Sequence, residues 1–348
     1  MFKNIRVLVV DDSAFMRKAI SDMINSQKDM EVIDVARNGI EAIEKSIKLS
    51  PDVITLDVEM PKLNGLEALK EIKKKTTCEV IVLSSLTAEG SKTTMECLKE
   101  GAFDFLQKPS GAISLDIEIL SKDLSEKIRY ASSARKKVVT KVISERPPVQ
   151  RRNSSVAFSK DVKAVVIGAS TGGPKVLFEI LTALPKTLQV PVFVVQHMPK
   201  GFTKAFAERV NKSSDMKVVE AVDNEKIEKN TIYIAPGGYH MVLKSKDRIS
   251  LEVTPPVHGV RPAVDKLFES AAAVYGGALI ACICTGMGKD GAIGIRNIKG
   301  SGGYTISQDE ATSIVYGMPK AAYETGCVDC ILPYGEISTE IIRVIRGK

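Results

Sequence analysis

The chain has 348 residues, 44% hydrophobic and 26% charged, which predicts about two domains with the ordinary balance of a soluble globular protein. No apolar run reaches the roughly eighteen residues of a membrane helix, and the run Val7 to Val10 ahead of Asp11-Asp12 is too short and too acidic for a signal peptide. The net charge of +7 is concentrated, because seven basic residues between Arg135 and Arg152 face only Glu145, so it reads as a solvated basic linker, with a patch for RNA or anionic lipid as the alternative. A cytoplasmic location without membrane insertion is expected. The six cysteines are then expected to be reduced thiols, and the pair Cys327 and Cys330 has no second pair or histidine nearby to complete a zinc site.

In chain order, strands are predicted at Ile5 to Val10, Glu31 to Val35, Val53 to Leu56, Val80 to Leu83 and Phe103 to Leu106. Helical patterns fill the gaps, and the last carries Ile117, Leu120, Leu124 and Ile128 on one face. Five β/α units of this kind make a parallel sheet covered on both faces. Asp11 and Asp12 end the first strand, Asp57 the third and Ser84 the fourth, while Lys108 follows the fifth. Sites in such sheets lie outside the carboxyl ends of the strands, so these five residues are expected to converge. Three carboxylates in one crevice repel each other without a cation, and Mg²⁺ suits their hard oxygen ligands. Lys108 adds a point charge for an anion and Ser84 a hydroxyl donor, so an aspartate there is placed to attack a phosphoryl group.

This stretch, residues 1 to about 125, resembles the response-regulator receiver domain. The likeness rests on Asp11-Asp12, Asp57 through Pro61, Asn64-Gly65, Ser84-Ser85, Gly101-Ala102 and Gln107-Lys108-Pro109. It implies a flavodoxin-like (βα)5 receiver in which Asp57 is phosphorylated, Asp11, Asp12 and Asp57 bind Mg²⁺, and Ser84 and Lys108 contact the phosphoryl group. Phe105 matches the aromatic position that changes rotamer in that family. The receiver is placed at 1–128, and a basic interdomain linker at 129–160, where apolar periodicity fades and Pro147-Pro148 interrupt a polar stretch.

From 161 to 348 strand and helix patterns alternate again. Strands are predicted at Lys163 to Ile167, Val190 to Val195, Thr231 to Ile234, Ala278 to Cys284, Gly303 to Ser307 and Val328 to Leu332. A hairpin is expected where Tyr239 to Leu243 and Ile249 to Val253 flank Lys244 to Asp247. The result is a doubly wound α/β domain with a mostly parallel sheet.

Gly168-Ala169-Ser170-Thr171-Gly172-Gly173 sits between the first of these strands and a helical pattern opening at Pro174. Such a turn suits either a nucleophilic serine beside free N–H groups or a phosphate cradle. The cradle lacks both fingerprints: no lysine follows the glycines, and Ser170 stands where a dinucleotide loop needs its second glycine. A serine nucleophile needs a base, and the base needs a carboxylate. His197, in Gln196-His197-Met198-Pro199, and Asp290, in Thr285 through Gly291, follow other strands and supply those roles. A lone serine in such a turn is otherwise a helix cap. His240 and His258 are rival bases, set aside because they fall in or near the hairpin, and Asp265 and Asp309 are rival acids, Asp265 reading as a first-turn acid.

Taken with Ala235 to Gly238, Arg261 to Asp265 and Gly317-Met318-Pro319, these motifs make the whole chain resemble the chemotaxis receptor methylesterase family, whose members are also glutamine deamidases. The family's catalytic residues fall on Ser170, His197 and Asp290. Met287 and Thr171 are candidate oxyanion donors through their backbones. The resemblance implies that glutamate methyl esters on methyl-accepting chemoreceptors are the substrates and that a chemotaxis histidine kinase is the phosphodonor. A monomer that needs no cofactor for the esterase step is expected, and the fusion of a phosphoryl-accepting domain to an esterase suggests that the receiver covers the Ser170 edge until Asp57 is phosphorylated. The alternatives are a receiver-controlled nucleic-acid regulator and a non-catalytic scaffold.

Overall fold

Five short strands organise the first half of the chain, and the three inner ones carry runs of apolar residues at or near 0% exposure that need covering on both faces. The five are β1 (Ile5–Val10), β2 (Met30–Ala36), β3 (Val53–Asp57), β4 (Glu79–Ser84) and β5 (Asp104–Gln107), in a parallel sheet of order β2-β1-β3-β4-β5. Helices α1 (Ala14–Asn25), α2 (Gly39–Leu49), α3 (Gly65–Lys75), α4 (Ala88–Lys99) and α5 (Ser114–Thr140) connect and follow them. The first four begin at side-chain caps, Ser13, Asn38, Asn64 and Thr87, each accepting a first-turn N–H. The computed structural model describes residues 4–108, 114–140, 150–151 and 161–347; Pro109 and the proline-bearing 141–149 lie outside the described residues.

The chain divides into two units, Met1–Glu145 and Arg146–Lys348. Helix α5 continues to Thr140, well into the stretch expected as linker, and is tied back to the first unit. Arg129 forms a bidentate pair with Asp29 at 2.7 and 2.9 Å, and Arg135 reaches Asp52 Oδ1 at 2.6 Å and the Pro51 carbonyl at 2.9 Å.

The second unit opens with β6 (Gln150–Arg151), also within the expected linker, which pairs antiparallel with the last strand. There follow β7 (Ala164–Ala169), α6 (Gly173–Thr182), β8 (Val192–Gln196), α7 (Phe202–Asn211), β9 (Lys217–Glu220) and β10 (Thr231–Ile234). The hairpin is β11 (His240–Leu243) with β12 (Ile249–Glu252), antiparallel as expected. Then come α8 (Val264–Tyr275), β13 (Leu279–Ile283), α9 (Ala292–Gly300), β14 (Tyr304–Gln308), α10 (Met318–Glu324), β15 (Cys330–Leu332) and α11 (Tyr334–Arg346). The main sheet has the order β6-β15-β14-β13-β7-β8-β10-β9 and is parallel except for β6. From β7 the chain winds outward through β8, then returns to the other side of β7 to lay down β13. The switch point, where a doubly wound sheet opens its crevice, therefore lies between β7 and β13. No helix among the described residues is long and apolar enough to cross a membrane.

Candidate active site

Ser170 leaves β7 at the switch point, and its N–H donates at 3.0 Å to the carbonyl of Thr285, which follows β13. The turn closes through the Gly173 N–H, which donates to the Ser170 carbonyl at 2.7 Å. Helix α6 is capped by Gly172 at φ 74, left-handed backbone that favours glycine, and takes no side-chain cap, so Ser170 is not a helix cap. A Cβ at Gly286 would lie 2.8 Å from Ser170 Cβ and 2.3 Å from Met318 Sδ, so only glycine lets the β13 loop come this close. Gly286→Ala should cost about 1–3 kcal/mol by overpacking, read as a lowered denaturant midpoint; an unchanged midpoint would show that Met318 yields freely.

His197 follows β8, the neighbour of β7, and its N–H donates to the Ala169 carbonyl at 3.1 Å, extending the strand pairing to the serine. Its Nε2 lies 2.8 Å from Asp290 Oδ2. Asp290, 2% exposed, also accepts the N–H groups of Val264 at 2.6 Å and Asp265 at 2.9 Å, so its carboxylate sits on the positive end of α8. Burial pushes this carboxyl up, but the His197 hydrogen bond and charge and the two N–H groups outweigh it and hold it below its ordinary value. A carboxylate facing Nε2 assigns the neutral ring's proton to Nε2 and leaves Nδ1 as acceptor. Neither Nδ1 nor Ser170 Oγ has a hydrogen-bond partner among the described residues, nor has the backbone N–H of Thr171 or Met287. The loops after β7, β8 and β13 therefore offer one free hydroxyl, one free ring nitrogen and two free donors.

The rivals separate clearly. Buried His240 uses both ring nitrogens, with Nε2 at the Pro255 carbonyl and Nδ1 accepting from Ala263 N–H. Asp309 holds its own loop through Thr312. Asp265 is a first-turn acid of α8, as expected, and also accepts the Gly294 N–H at 2.8 Å. His258 comes nearer than its place beside the hairpin suggests: it pairs with Asp265 at 3.2 Å, in a cluster with Asp290 whose ligand atoms lie within 4.8 Å. Asp290's oxygens are nonetheless already engaged by His197 and α8. Sequence reasoning missed a layer of buried polar side chains beneath the turn. Thr285 Oγ1 donates to the Thr171 carbonyl at 3.0 Å and accepts from Val315 N–H at 2.9 Å, while Gln308 Oε1 accepts the Thr285 N–H at 2.7 Å. Their only signal was amides and hydroxyls at the ends of otherwise apolar strands.

In the first unit Asp11, Asp12 and Asp57 converge, with carboxylate oxygens within 4.8 Å of one another. Lys108 Nζ lies 2.7 Å from Oδ2 of both Asp11 and Asp57, yet neither of these buried oxygens receives a well-directed hydrogen bond. Close charge without satisfied lone pairs fits a divalent cation among the three carboxylates. Burial drives the Asp57 carboxyl up to about 6 against the pull of Lys108. Burial would lower the Lys108 ammonium, but Asp57 and Asp11 outweigh it and raise it. Ser84 is buried at the end of β4, where its carbonyl accepts the Lys108 N–H at 2.8 Å, and Phe105 is buried on β5.

A family model described as CheB methylesterase matches residues 165–341, and the response regulator receiver domain matches residues 7–119. A protein-glutamate methylesterase/protein-glutamine glutaminase of Clostridium acetobutylicum is 49% identical over 346 residues, covering 99% of each chain. That of Thermotoga maritima is 46% identical over 344 residues, covering 98% of each. The solved catalytic domain of Thermotoga maritima CheB methylesterase superposes with a TM-score of 0.52 at 43% identity, covering 53% of this chain and 100% of that one.

Proposed function

This chain belongs to the CheB methylesterase family, with a response regulator receiver ahead of the catalytic domain, and on that premise we propose that it hydrolyses glutamate γ-methyl esters, and deamidates glutamines, on chemoreceptors. The observation that carries this reading is the His197–Asp290 pair at 2.8 Å beside the Ser170 turn. Ser170 Oγ attacks the ester carbonyl as His197 Nδ1 takes its proton, and Asp290 stabilises the imidazolium. The oxyanion is held by the free N–H groups of Thr171 and Met287. Collapse expels methanol, which takes the proton from the imidazolium; water then adds to the acyl-serine with His197 again as base, and the bond to Ser170 breaks as the imidazolium returns its proton to the serine oxygen, releasing the glutamate. A glutamine side chain follows the same path with ammonia leaving. The test is methanol release from methylated receptor membranes by the wild type and by Ser170→Ala.

The receiver controls this step through Asp57, in the cytoplasm, with a chemotaxis histidine kinase as donor and the protein working as a monomer in sensory adaptation. Asp11, Asp12 and Asp57 would hold Mg²⁺, which supplies charge neutralisation to the incoming phosphoryl group. Ser84 and Lys108 contact the transferred group, and Phe105 responds to it. A small phosphodonor with Mg²⁺ should raise the methanol-release rate at least about tenfold, a shift of roughly 1.4 kcal/mol between restrained and active states. Asp57→Asn should abolish the increase and leave the basal rate; stimulation that survives this substitution would remove Asp57 from the control step.

A further inference from the structure

Gln196 stands immediately before His197 and is 2% exposed, with its side-chain amide turned back into the protein. Its Nε2 donates to the Ser170 carbonyl at 2.9 Å and to the His197 carbonyl at 3.2 Å. One NH2 group thus bridges the main chains of the serine and the histidine. The opposite assignment of the amide would set an oxygen against two carbonyls, so the network fixes this orientation. The other end of the amide gains nothing: Oε1 is buried without a partner, and a Cβ on Gly173 would lie only 1.9 Å from it. A buried amide with an unpaired oxygen is a poor stabilising device, since an unmade bond costs about 1–3 kcal/mol.

The bridge has a further geometric consequence. In a planar trans peptide the carbonyl and the following N–H point in opposite directions. The Ser170 carbonyl is held from one side by Gln196 Nε2 and by the Gly173 N–H. The Thr171 N–H is therefore turned away from that side, and it has no acceptor among the described residues.

We infer that Gln196 is a positioning residue for the esterase reaction: it sets the spacing of Ser170 and His197 and orients the Thr171 N–H as an oxyanion donor. The inference rests on the serine mechanism proposed above. Gln196→Met keeps the unbranched length and removes the donor, whereas Gln196→Glu keeps the shape and sets a carboxylate oxygen against both carbonyls. With methylated receptor membranes, kcat for the Met variant should fall about 10- to 100-fold at unchanged KM, since misplacement by about an ångström costs up to roughly 10²-fold. The Glu variant should fall at least as far.

The rate of Ser170 labelling by a small phosphonofluoridate, which needs the nucleophile and its base but no receptor, should drop in parallel. The final extent of labelling counts intact sites, and the thermal midpoint of the Met variant should stay near that of the wild type. Wild-type kcat per labelled site in both variants would overturn the inference, as would a loss of activity matched by an equal loss of labelled sites. Failure of the serine reading is seen separately, as activity retained by Ser170→Ala.

Discussion

Ser170→Ala should reduce methanol release from methylated receptor membranes by about 10⁶-fold, because a nucleophile, base and acid that act as one unit lose nearly everything when the nucleophile goes. Glutamine deamidation should fall with it, since in the proposed mechanism both reactions pass through the same acyl-serine. The fold gives no other reason for such a loss. The Ser170 hydroxyl makes no hydrogen bond among the described residues, α6 is capped by Gly172, and the turn is held by backbone groups that alanine keeps. Stability should therefore change by no more than about 0.5 kcal/mol. Phosphorylation of Asp57 by a small phosphodonor should be untouched, which gives an internal check that the variant protein is intact. Methanol release within a hundredfold of the wild type would refute the nucleophile and revive a scaffold role for the turn.

The strands were legible in the sequence where both faces are buried. The runs that became β1, β3, β7 and β13 are continuous and apolar, and their expected ends lie within about two residues of the observed ones. The strands that escaped notice are edge strands. In β9 only Val218 is fully buried, and β6 is two residues long in a basic stretch whose signals are those of a tether. Ser170 and His197 were legible because a polar residue at the end of an apolar strand has few structural uses. Asp290 was legible only as one acid among several. What distinguishes it is its contact with the N–H groups of Val264 and Asp265, some 25 residues earlier in the chain, and no local pattern announces such a contact. The same holds for His258, drawn to Asp265 by a turn at φ 52, and for Gln196 and Gln308, whose amides gain their meaning from carbonyls and N–H groups on other strands.

Asp290→Asn should lower kcat by about 10⁴-fold with little change in KM, and for a reason set by donor counting. Three donors converge on two carboxylate oxygens: Val264 N–H and the His197 ring on Oδ2, and Asp265 N–H on Oδ1. An asparagine has one acceptor oxygen, so its NH2 group must face either the Asp265 N–H or the Oδ2 partners. If it faces the Oδ2 partners, it opposes the Val264 N–H and the ring has to accept at Nε2, so its proton moves to Nδ1, the nitrogen that takes the Ser170 proton in the proposed mechanism. If it faces Asp265, two donors oppose each other at the start of α8, at a cost of about 1–3 kcal/mol. Acid titration separates this from a simple loss of fold. Asp290 titrates below its ordinary value of 3.8 in the folded protein, so its contribution to stability is complete above about pH 4 and is lost as pH falls through the lower folded value. The wild type and Asp290→Asn should therefore differ in denaturant midpoint at neutral pH and converge in acid. A difference that persists unchanged through the acid titration, or an Asn variant within tenfold of wild-type kcat, would remove Asp290 from the role of orienting His197.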